Sequence, residues 1–94
     1  MKINEIENHF KELPINSISE EKITLEGLLL HGQGHGSLNY IDDGTGKILI
    51  CSIYSKMDSL IKKSHEKSKI RVAGQVERTE FGILGIRVED FKSI

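Results

Sequence analysis

The chain has 94 residues, 37% of them hydrophobic and 29% charged, with a net charge of −1 and a pI near 6.4. That length suits one small domain. One cysteine excludes an internal disulfide framework and a cysteine-rich zinc site, and no apolar run approaches the ~20 residues of a membrane-spanning helix.

Met1–Leu13 is charged and lacks the apolar stretch of a secretory signal. The expectation is an intracellular protein of the cytoplasm or nucleoid, without membrane contact. Acids dominate Met1–Glu26 and bases dominate Lys56–Arg87, so a basic face is compatible with a neutral total.

Ile3, Ile6, Phe10 and Leu13 recur at near-helical spacing, and Glu5, Glu7, Lys11 and Glu12 fill the other face. This predicts an amphipathic helix over residues 3–12, stopped by Pro14. Residues 1–14 form this N-terminal segment and residues 15–94 the main domain. Ile15–Lys22 reads as a lead-in with turn residues. Ile23–His31 reads as a long strand interrupted by Gly27, a position suited to a bulge or a sharp coil.

Glycines at 32, 34 and 36 mark a loop, followed by a second strand over Ser37–Asp42. Asp43-Gly-Thr-Gly46 is a hairpin turn, with Asp43 supplying Asx geometry, and Lys47–Tyr54 is a third strand. Ser55 is a plausible N-cap with Asp58 three residues on, and Met57, Leu60 and Ile61 make one apolar stripe. A helix is expected over about 56–65. Lys69–Arg78 and Ile83–Asp90 are the fourth and fifth strands, joined by a hairpin loop at Thr79–Gly82.

Five short strands with one helix between the third and fourth is the order of an OB-fold barrel. The fold class is therefore mainly all-β: a five-stranded OB barrel with that helix and a short N-terminal one. Three segments carry a family resemblance: Asn39-Tyr-Ile-Asp-Asp-Gly-Thr-Gly-Lys-Ile48, Ile70-Arg-Val-Ala-Gly-Gln-Val76 and Ile86-Arg-Val-Glu-Asp90. Over roughly residues 20–92 the chain resembles nucleic-acid-binding OB domains, above all the middle subunit of replication protein A and its telomeric relatives. The C-terminal helix by which those subunits associate has no counterpart here. The resemblance implies a single-stranded DNA-binding protein of replication or repair, without enzymatic activity.

OB barrels bind strands across the face of strands 2 and 3, flanked by the loops between strands 1–2 and 4–5. Alternation turns Ile41, Ile48 and Ile50 inward and Tyr40, Lys47 and Leu49 outward. The same rule places Arg71, Gln75 and Arg87 outward on strands 4 and 5. Tyr40 and Phe81 are the candidates for base stacking. Lys47, Arg71, Gln75, Arg78 and Arg87 are the candidates for backbone contact. His31, Gln33 and His35 flank or lie in the glycine loop, where backbone approaches a ligand closely. Two histidines and a distant Cys51 make no metal set, so neither metal nor cofactor is expected. Tyr54 is expected to pack on the following helix. Cys51 has no local activating partner.

There are two alternatives, the first favoured by neutral charge, few aromatics and the amphipathic N-terminal helix. One is a protein-interaction subunit that forms a homo-oligomer or joins other OB subunits. The other is an RNA-binding domain of the anticodon type.

Overall fold

The computed structural model describes residues 1–32 and 38–94. Its elements are α1 (Ile3–His9), β1 (Ser17–His31), β2 (Asn39–Asp42), β3 (Lys47–Cys51), α2 (Ser55–Lys63), β4 (Lys69–Arg78) and β5 (Leu84–Ser93). The strands close into a barrel in the order β1-β2-β3-β5-β4. All pairs are antiparallel except β3–β5, which is parallel. The expected barrel is therefore the observed one: five strands, one helix between β3 and β4, and a short N-terminal helix.

Alternation builds the core. Leu25, Leu29, Ile41, Ile50, Ile70, Val72, Val76, Ile86 and Val88 point inward and are buried. Burying each such side chain contributes about 1.5–3 kcal/mol. Ile3 and Ile6 from α1, its C-cap Phe10, and Ile61 from α2 join the same cluster.

β1 is long because it serves two partners. Ser17–Leu28 pairs with β4 and Leu28–His31 with β2, so Leu28 faces both Lys69 and Asp42. Gly27 stands at this handover. A Cβ there would lie 2.2 Å from the Asp42 carbonyl oxygen, so the residue admits a close approach of backbone. The register with β4 stays regular at Gly27, and the irregularity falls between Ile18 and Lys22 instead. There the buried Ser19 replaces a ladder bond: its Oγ accepts the Val76 N–H at 3.0 Å and donates to the Glu21 carbonyl at 2.6 Å. Ser17–Lys22 is thus strand, although its polar residues read as a lead-in.

Other element ends differ for local reasons. α1 stops at His9, not residue 12: Phe10 is its C-cap, with its N–H on the Ile6 carbonyl, and the Phe10 and Leu13 carbonyls beyond accept from the Arg78 guanidinium. β3 ends at Cys51 and β5 runs on to Ser93. Tyr54 is the N-cap residue of α2, and its own N–H donates to Ser52 Oγ. Asp58 pairs with Lys62 at 2.9 Å rather than completing a box with Ser55. The Tyr54 side chain is 57% exposed and does not pack under the helix. Among the described residues, no helix is long and apolar enough to cross a membrane.

Candidate functional site

The outward face of β2 and β3 carries the chemistry. Register places Tyr40 opposite Leu49 and Asp42 opposite Lys47. Tyr40 and Lys47 are therefore diagonal neighbours on one face, within reach of each other. Lys47 Nζ stands over the Tyr40 ring, 5.4 Å from its centroid, in a cation–π arrangement. Beside them opens a cleft of about 330 Å³, with Ile48 and Leu84 in its floor and Tyr40, Leu49 and Ile83 around it. That volume is at the small end of ligand pockets.

The β4–β5 turn makes one wall, and it is held firmly. Thr79 Oγ1 accepts the N–H groups of Phe81 and Ile83 at 3.3 and 3.2 Å. The Gly82 N–H donates to the Thr79 carbonyl at 2.9 Å, and the Thr79 N–H to the Ile83 carbonyl at 2.9 Å. Gly82 takes φ of +80°, the left-handed region glycine favours. On this tied loop Phe81 is 80% exposed, and the adjacent Ile83 is 55% exposed. An ordered turn that presents a bare aromatic ring has the form of a stacking platform.

α1 makes the other wall through Ile3, Ile6 and Glu7, a contribution the sequence did not disclose. A seven-residue helix has little stability alone. The β2–β3 hairpin holds its first turn: Asp43 Oδ2 accepts the Ile3 N–H at 2.8 Å, and Thr45 Oγ1 accepts the Asn4 N–H at 3.2 Å. Burial raises the Asp43 pKa, but hydrogen bonds from the Thr45 hydroxyl and from the Ile3, Thr45 and Gly46 backbone together outweigh it and leave it lowered. Asp43 also forms the expected Asx turn, accepting the Thr45 N–H at 2.9 Å.

Arg78 ties down the other end of α1. Its guanidinium donates to the carbonyls of Leu13 (2.7 Å), Phe10 (3.1 Å) and Gly82 (2.9 Å), and its side chain is only 12% exposed. Expected as a phosphate contact, Arg78 here gives three N–H groups to main-chain acceptors. Arg78 instead joins α1 to the β4–β5 turn, the two walls of the cleft.

The other basic candidates do not gather at the cleft. Arg71 donates to Glu26 at 2.6 Å across the β1–β4 pair. Arg87 pairs with Glu77 at 3.2 Å on β5 and β4. Gln75 Nε2 donates to the Ser19 carbonyl at 2.8 Å. Among the described residues, Lys47 is the one basic side chain that lines the cleft.

His31 stands at the end of β1, away from these residues. Nδ1 faces Asn39 Oδ1 and Nε2 faces the Ser64 carbonyl, both at 2.7 Å. Two acceptors favour the doubly protonated ring. The Ser64 carbonyl and then Asn39 raise its pKa, against a smaller effect of burial. Gln33 and His35 lie outside the described residues. Cys51 donates to Glu77 at 3.2 Å, and burial, then Glu77, pushes its thiol pKa up to about 12. Among the described residues, no three His, Cys, Asp or Glu side chains come together as a metal site.

No family model matches the sequence, and no curated protein matches it significantly. Solved structures do match. Asparaginyl-tRNA synthetase from Pyrococcus horikoshii, in complex with asparaginyl-adenylate, superposes with a TM-score of 0.63 at 22% identity over 79% of this chain. A second structure of that enzyme gives the same values. The chain spans about a fifth of the synthetase's length, 19% and 20% in the two structures. At this identity the likeness is one of fold, and it agrees with the five-stranded barrel that the strand register defines.

Proposed function

We propose that this chain is a non-catalytic nucleic-acid-binding OB module whose ligand is single-stranded RNA. The observation that carries this reading is the cleft on the β2–β3 face, where Tyr40 and Lys47 stand together beside the tied turn that presents Phe81. OB barrels bind oligonucleotides on this face. A base stacks on Tyr40 or Phe81 at about 1–3 kcal/mol each, and Lys47 turns from the ring to a phosphate.

RNA takes precedence over DNA because the structural likeness is to an enzyme that acts on tRNA. It supports an anticodon-type module over a single-stranded DNA binder of the replication-protein-A type. The few aromatics and the single cleft cation imply modest affinity, so the module would add to the grip of a larger assembly.

The test is fluorescence anisotropy of the full chain with matched RNA and DNA oligomers at low salt. RNA binding that unlabelled RNA displaces more readily than DNA supports the proposal. DNA binding at equal or greater strength returns the replication-type reading, and no binding to either removes both.

A second reading has its own observation. Ile53, Tyr54 and Leu60 are exposed around the start of α2. They suit a protein-interaction surface. Light scattering of the full chain would then report a dimer or larger species.

A further inference from the structure

The rim of the cleft carries one acid and one base, Glu7 and Lys47, above surroundings that are otherwise aromatic, aliphatic or glycine. Glu7 makes a loose ion pair with Arg78, its Oε1 3.7 Å from Nη1 and beyond hydrogen-bond distance, and with 74% of the side chain exposed its oxygens stay open to a ligand. The helix that bears it is fixed at both ends, by Asp43 on the first turn and by Arg78 on the last carbonyls. The backbone that carries the acid is therefore held at the rim of the cleft, as support for a group that reads a ligand requires.

We propose that Glu7 is the specificity-determining residue of this cleft and that it selects guanine from a single strand. The inference rests on the RNA-binding reading above. An ionised carboxylate offers two acceptor oxygens and no donor. Guanine presents two adjacent donors, the ring N1–H and the exocyclic amino group, which meet both oxygens at once. Adenine and cytosine present an amino group next to an acceptor nitrogen, so they make one bond. Uracil presents a single N–H between two carbonyl oxygens, which the carboxylate repels. Lys47, at the base-bearing part of the rim, takes the phosphate and keeps the acid clear of the backbone charge.

The test uses the full chain and labelled RNA pentamers that are all uridine except at the central position, which is G, A, C or U. A bidentate carboxylate contact predicts that the guanine pentamer binds roughly tenfold more tightly than the uridine one. Glu7→Gln and Glu7→Ala should both lose that preference while binding all-uridine RNA at least as well as the parent. Because Glu7 is exposed, unchanged melting curves are expected and confirm that the variants fold. Equal binding of the four pentamers, or a guanine preference that survives in both variants, overturns the role of Glu7 and leaves the RNA reading standing. If none of the pentamers binds, the RNA reading fails and this inference with it.

Discussion

Lys47 Nζ lies 5.4 Å from the centre of the Tyr40 ring, so the cleft's cation rests on the ring a base would occupy. In the proposed RNA complex, stacking on Tyr40 and a phosphate contact by Lys47 are one event: the base takes the ring face as the ammonium leaves it. Tyr40→Ala should weaken RNA binding by about tenfold, since a stacked base is worth about 1–3 kcal/mol, and Tyr40→Phe should retain most of it. Anisotropy titrations check this, and an unchanged Tyr40→Ala affinity would remove the ring from the site.

Salt dependence separates Lys47 from the arginines. With one cleft cation, the log–log salt slope should be shallow, about −0.7 per phosphate contacted. Lys47→Ala should remove about one such unit. Arg71→Ala and Arg87→Ala should leave the slope unchanged, because each cation is already paired, with Glu26 and Glu77. A steep slope that Arg71 or Arg87 controls would relocate the binding face.

Arg78 predicts a loss of stability instead. Arg78→Met should leave the Phe10, Leu13 and Gly82 carbonyls without their shared donor and cost about 2–3 kcal/mol. Lysine should not rescue it, because a point charge cannot reach several acceptors in a fork. Urea denaturation measures this, and a change within experimental error would show that the clamp carries no stability.

These two arginine outcomes mark where the sequence was legible. Alternation fixed which face Tyr40, Ile41, Ile48 and Arg71 occupy, because a strand has period two and the barrel has one inside. Turn chemistry placed the Asp43–Gly46 hairpin and the helix between β3 and β4. The use of each charge was not legible. Arg78 and Arg71 look alike in the sequence, yet one holds three carbonyls and the other an exposed glutamate, and only strand register decides which. Ser19 was hidden in the same way, since its buried bond to Val76 depends on a strand 57 residues away. α1 gave its apolar stripe, but its role as a cleft wall came from Asp43 and Arg78.

His31 gives stability a pH dependence of known sign. Its pKa is raised above 6.5, so its contribution is complete below pH 6.5 and is lost as pH rises through the folded value. The negative charge of Glu66, whose Oε1 accepts the His31 backbone N–H, adds to the same direction. The melting temperature should fall as pH rises above 6.5, and His31→Gln should flatten the fall. Asp43 acts at the acid end with the opposite sign. Its pKa is lowered, so its contribution is present above the ordinary carboxylate value of 3.8 and lost as pH falls through the folded value. A wild-type profile that is flat above pH 6 would contradict the two-acceptor geometry of His31.

Backbone approach is closest, among the described glycines, at Gly27 and Gly74. Gly27→Ala would set a Cβ 2.2 Å from the Asp42 carbonyl oxygen, and Gly74→Ala one 2.0 Å from that of Arg87. Both atoms are backbone, so the strands must part, at a cost of about 1–3 kcal/mol or more. Gly82→Ala meets nothing within 4 Å and should cost only the left-handed backbone penalty, about 1–2 kcal/mol. Thermal melts of the three variants should rank Gly82→Ala as the mildest.

The cleft as an RNA site is tested most directly by a proton–nitrogen correlation NMR titration of the full chain with a single-stranded RNA oligomer. Saturable shifts are predicted at Tyr40, Lys47, Leu49, Glu7 and the Thr79–Ile83 turn, with α2 unmoved. Shifts confined to α2 and the Ile53–Tyr54 surface, or no shifts at all, would contradict it.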